Sequence, residues 1–264
     1  MTQFILRNLI LFGFAILIAI LIDYKKSIKN WHILLLFLIF GLLDNVLYII
    51  TELYPNLQII KYHTWNNYLG CNWSAKIYSI VLALGLLIPL RSIINPNEIG
   101  LTLKQNSGSI RFSLICITFI LVAAIFIGFL SKKGPFDTKT LLYLAIMPGL
   151  NEELIYRGFL LGFLNKLFDR RFKILGTNLG WGAIISTIVF GLLHGFQLSG
   201  DYQFHFDFMA IVSTGFYGFI FVLIRERSGS LVFPVIAHGT EDFFIYLGFA
   251  EKIKLNNIAT WYFC

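Results

Sequence analysis

Charge is scarce in this chain. Only 13% of its 264 residues are Asp, Glu, Lys or Arg, about half the ~25% of a soluble domain. Hydrophobic residues make up 57%, and mean hydropathy is +0.76. These values exclude a water-soluble enzyme or binding domain and indicate an all-α, polytopic membrane protein. Cysteine is also sparse. Cys71, Cys116 and Cys264 are odd in number and show no CxxC spacing, which excludes a disulfide framework and a thiolate metal site. Standing last in the sequence, Cys264 is not expected to form a C-a-a-X prenylation signal. The N-terminal apolar run lacks a small-residue cleavage site and is span-length, so it is expected to remain as a helix. Internal repeats and low-complexity tracts are absent, and most connections are too short for a soluble domain. The net charge of +7 falls mostly in short loops, where it sets topology; no nucleic-acid partner is expected.

About eight apolar segments are long enough to be transmembrane helices, roughly 4–22, 31–50, 75–94, 114–130, 141–164, 181–198, 209–224 and 231–249. They divide into 1–135, with about four N-terminal helices, 136–250, whose later helices are expected to hold the active site, and a short tail at 251–264. Together these form one membrane domain. Lys and Arg are more numerous in the loops on the side of 23–30, 95–112, 165–180 and 225–230, which places both termini outside.

Polar residues along the way have ordinary explanations. Arg7 and Asn8 lie near a helix start, within snorkelling reach of the interface. Asp44-Asn45 suits a helix–helix hydrogen bond or a capped break. The loop with His63, Trp65 and Tyr68 is expected at the headgroups. The fourth segment is expected to face lipid. Asp201, His205 and Asp207 fall in a solvated loop, with a metal role for His205 disfavoured. Gly215 and Gly218 suit close helix packing.

The fifth segment resists such an explanation. Glu152, Glu153 and Arg157 lie within six residues of an apolar run, and each charge at a bilayer centre costs about 2.5–3.5 kcal/mol on insertion scales. Glu153 and Arg157 are four residues apart and can pair on one face. Glu152 is rotated by about 100° and lacks such a partner. Pro148-Gly149 just before it is expected to kink the helix. Two further segments carry Phe190 with His194, and His238 with Asp242 four residues on; Glu241 is offset and expected to point elsewhere. If these three segments meet, Glu152, His194, His238 and Asp242 share one hydrated cavity. Such a set can deprotonate a water and stabilise an oxyanion, or hold a divalent metal that activates the water.

Glu152-Glu153-x-x-x-Arg157, Phe190-x-x-x-His194 and His238-x-x-x-Asp242 resemble, in order and placement, the three motifs of the CPBP family. This family comprises the type II CAAX prenyl endopeptidases and the bacterial Abi or bacteriocin-processing proteins. The resemblance covers about residues 140–249. It implies an eight-helix intramembrane endopeptidase acting on a peptide or membrane-protein substrate within membrane lipid. Glu152 would be the base, sharing the water with His194. Glu153 and Arg157 would be the supporting pair, and His238 with residue 242 would stabilise the oxyanion. Eukaryotic members are expected to have Asn where this chain has Asp242. An ionised Asp242 cannot donate a hydrogen bond, so it serves protonated, orients His238 or binds a metal. The resemblance implies either no cofactor or a divalent metal such as zinc held by Glu152, His194, His238 and Asp242. A proton-coupled transporter would use the same charges in a relay, and a non-catalytic immunity or binding protein would use the scaffold to hold a partner. Richness in Ile, Asn, Lys and Phe suggests an AT-rich genome and a bacterial cell membrane, where a peptide precursor or protein tail would be the client.

Overall fold

The computed structural model describes residues 2–65, 69–130 and 137–249. The tail at 251–264 and the headgroup placement of the His63, Trp65 and Tyr68 side chains fall outside what it describes. In lipid a backbone has no water to bond, so the apolar segments satisfy their own N–H and C=O groups as helices. First come α1 (Thr2–Ile22), a short α2 (Tyr24–Lys29) capped by Asp23, and α3 (Trp31–Leu53). A hairpin of β1 (His63–Trp65) and β2 (Leu69–Cys71) leads to α4 (Trp73–Leu90), whose first turn is capped by Asn72. Next are α5 (Ser109–Leu130) and α6 (Thr138–Glu152). The latter runs directly into a π-helical segment, Glu153–Leu160, and then α7 (Leu161–Leu167). A second hairpin, β3 (Arg170–Ile174) with β4 (Thr177–Gly180), precedes α8 (Trp181–Gly195). A third, β5 (Phe196–Leu198) with β6 (Phe204–Phe206), precedes α9 (Phe208–Ser228) and α10 (Val232–Phe249).

Among the described residues α1, α3, α4, α5 and α9 are long and apolar enough to cross a membrane. The protein is a polytopic, largely helical membrane protein. The expected break at Pro148 lies elsewhere: Pro148 sits inside α6, and i→i+4 bonding gives way only at Glu153. As expected for a lipid-facing helix, α5 turns Leu114, Ile115, Phe119, Val122 and Phe126 outward, burying Ile120 and Ala124.

Helices in lipid are held by close packing rather than by expulsion of water. Around the site, aromatic rings do part of this. Phe40 of α3 stacks on Phe159 at 4.3 Å and meets Phe163 edge-on at 5.4 Å, fixing the π segment and α7 against the N-terminal helices. Missing side chains do the rest. A Cβ on Gly149 would stand 2.8 Å from the Val235 carbonyl oxygen, and one on Gly239 would collide with the Ala145 carbonyl oxygen; α6 and α10 therefore cross backbone to backbone. Between α8 and α9, a Cβ on Gly191 would lie 2.6 Å from the Ile211 carbonyl oxygen and 3.2 Å from the Gly215 Cα. Gly239→Ala is accordingly expected to destabilise the protein by about 1–3 kcal/mol. Thermal unfolding in detergent micelles measures this, and a wild-type midpoint would show that the crossing is loose.

Candidate active site

The π segment places Glu153 and Arg157 side by side, both fully buried. Arg157 Nη1 donates to Glu153 Oε1 at 2.8 Å. From α10, His238 Nδ1 reaches the same oxygen at 2.8 Å. A carboxylate oxygen only accepts, so Nδ1 carries the proton. The His238 ring stacks on Phe221 at 5.0 Å. The Arg157 guanidinium lies 3.8 Å from the centre of the Phe190 ring and 5.2 Å from that of Phe221, a cation–π arrangement. His238 is thus held on one nitrogen and one face. Its Nε2 points towards Asp242 Oδ2 at 3.6 Å and Glu152 Oε2 at 4.0 Å.

His194, in the last turn of α8, bonds through Nδ1 to the Phe190 carbonyl at 2.7 Å. A carbonyl requires a donor, which leaves Nε2 as the basic nitrogen. His194 and Glu152 line one cavity of about 50 Å³, together with Arg7, Asp44, Lys76 and Tyr156. A water needs roughly 10–15 Å³ by this measure, so a few waters fit.

Glu152 is buried, and it does have a cationic partner. Lys76 Nζ of α4 lies 3.2 Å from Glu152 Oε1 and 3.0 Å from Asp44 Oδ2 of α3. Sequence reasoning missed Lys76, which stands one residue inside the apolar run at 75–94 where a long cation ordinarily snorkels. Assigning every intramembrane acid a cation would have found it. Asp44 makes the helix–helix hydrogen bond expected of it, and its partner on α4 is the lysine that also holds Glu152. Arg7, expected to snorkel, is instead 7% exposed and lines the cavity. The long helix α1 buries that face against its neighbours.

The motif residues thus come together in two layers. Glu153, Arg157 and His238 form a buried support; Glu152 and His194 face the cavity; Asp242 adjoins His238. Glu241 is half-buried and takes no part in these hydrogen bonds. Where a solvated loop was expected beyond α8 there is the β5–β6 hairpin: His205 lies exposed on β6, Asp207 caps α9 by accepting from the Ala210 N–H at 3.0 Å, and Asp201 in the turn accepts from the Ser199 hydroxyl. That hydroxyl holds the Asp201 carboxyl below its usual range. Among the described residues no three His, Cys, Asp or Glu side chains are grouped to hold a metal ion. The Lys76 ammonium also stands against Glu152, where it would repel a divalent cation. The donors as arranged do not fit a metal.

Residues 135–244 match the family model described as type II CAAX prenyl endopeptidase Rce1-like. No curated protein and no solved structure matches the chain. The matched stretch contains Glu152, Glu153, Arg157, His194, His238 and Asp242, whereas Asp44, Lys76 and Arg7 precede it. The similarity to that family thus rests on this C-terminal stretch, which carries all six motif residues.

Proposed function

We propose that the protein is a multi-pass intramembrane endopeptidase that activates water with Glu152 and His194 and cuts a peptide or membrane-protein substrate. The observation that carries this reading is the cavity: Glu152 and His194 line a space with room for water, next to an imidazole fixed from behind. Glu152 has its two oxygens in different roles. Oε1 is held by Lys76, which leaves Oε2 to take a proton from water as it attacks the scissile carbonyl. His194 Nε2 accepts the water's second hydrogen and sets its direction. The negative charge on the carbonyl oxygen is met by His238 as the imidazolium, in which Nδ1–H is anchored on Glu153 and Nε2–H donates to the oxyanion. Glu152 returns its proton to the leaving nitrogen, and the C–N bond breaks. Asp242, 3.6 Å from His238 Nε2, aims the imidazole.

Comparative peptidomics of membranes from cells with wild-type protein and with His194→Ala tests the proposal. Loss of a general base typically costs 10²–10⁴-fold, so the wild-type cleavage products are expected to vanish in the variant. An unchanged peptide set would remove the proposal. In the same assay EDTA is expected to change the rate by less than about twofold; loss of activity that zinc restores would assign the water to a metal instead.

A further inference from the structure

We infer that Arg7 forms a carboxylate-binding subsite in the cavity beside Glu152, and that the substrate presents a carboxylate to it. The inference rests on the endopeptidase reading and adds a feature of the substrate. Arg7 comes from α1, outside the family-matched stretch. Its side chain lines the same cavity as Glu152 and His194 while remaining 7% exposed.

The other buried cations of the site are matched to acids. Lys76 has Asp44 and Glu152, and Arg157 has Glu153. Among the described residues Arg7 is not matched in this way. Its Nη2 donates to the neutral Asn8 side chain at 3.3 Å, and its guanidinium carbon lies 4.7 Å over the Phe4 ring. Its buried Nε has no hydrogen-bond partner among the described residues. Among the described residues no carboxylate lies within ion-pair distance of it. A guanidinium taken out of water without a counter-ion is unfavourable unless an anion completes it.

The chemistry of the missing anion follows from the group and the space. A guanidinium presents a planar fork that matches a carboxylate with two parallel hydrogen bonds. The cavity is small, and in a peptidase the anion that enters with the substrate is a peptide's own carboxylate. It has two sources, the chain terminus and an Asp or Glu side chain. Either would fix the register of the peptide against Glu152.

The purified full-length protein in detergent micelles tests this with three short peptides: acetyl-Ala-Ala-Ala as the free acid, the same peptide as its C-terminal amide, and acetyl-Ala-Glu-Ala amide. Binding is followed by microscale thermophoresis on wild type, Arg7→Met and Arg7→Lys. A free acid or a glutamyl peptide is expected to bind wild type at least about tenfold more tightly than the neutral amide. Whichever does so identifies the source. The preference is expected to vanish in Arg7→Met and to survive in part in Arg7→Lys. Equal binding of all three peptides to wild type would overturn the subsite even if the variants fail to fold. A preference retained in Arg7→Met, or an equal loss on acid and amide, would also overturn it; the latter would make Arg7 a mere counter-charge for Asp44. An acid preference together with an unchanged peptide set in His194→Ala membranes would keep the subsite and remove the proteolysis, so the two failures are distinguishable.

Discussion

Glu152→Ala is expected to lower peptide cleavage by about 10³-fold or more while the protein stays folded. Both halves of this expectation come from the contacts of Glu152. Among the described residues Glu152 and Asp44 are the carboxylates that line the cavity; both touch Lys76, and Glu152 is the one beside His238, so on the proposed reading it takes the proton. Its removal does not strand a charge, because Lys76 keeps its 3.0 Å contact with Asp44. Glu152→Gln sharpens the test: the amide can still accept from Lys76, but it cannot take up a proton at working pH. Mass spectrometry of cleavage products and thermal unfolding in micelles check the two halves. Near-normal cleavage by either variant would sink the assignment of Glu152 as the base.

The neighbouring glutamate is expected to behave in the opposite way. Glu153→Ala leaves Arg157 buried between two aromatic rings with its carboxylate gone and deprives His238 of its anchor. Removing one member of a buried ion pair costs about 3–5 kcal/mol, a large share of the total stability of a typical domain. The expected result is a protein that unfolds at much lower temperature or detergent stress, with poor yield from membranes. A wild-type unfolding profile for Glu153→Ala would show that Arg157 has another counter-ion. Two adjacent acids of the same kind are thus distinguished, one by rate and the other by stability.

The grouping of ionisable residues on the C-terminal helices was legible because such residues in an apolar run are conspicuous and because Glu153–Arg157 and His238–Asp242 have helical spacing. Lys76 and Arg7 were not legible for a shared reason. Each is a long cation a few residues from a helix end, and sequence alone does not give the rotation of that helix about its axis, which decides whether the cation bends out to the headgroups or in to the cavity. The π segment had no local signature either: Pro148 marked a break that falls instead at Glu153–Leu160. A π turn is stabilised by what its side chains meet, here Phe40 against Phe159 and His238 against Glu153. The hairpins escaped notice because the connections carry no sustained alternation of apolar and polar residues, and their backbone groups pair once the adjoining helices bring the chain back.

The Asp44–Lys76 contact gains a further meaning from the order in which a ribosome delivers the chain. α3 and α4 emerge before α6, so Lys76 must enter the bilayer while Glu152 has yet to be made. A lone ammonium there would hinder insertion. With Asp44 on the preceding helix, the two can enter as a neutral couple, and Glu152 later joins a lysine already lodged in the membrane. Asp44 thereby escorts into the lipid the very charge that will hold Glu152.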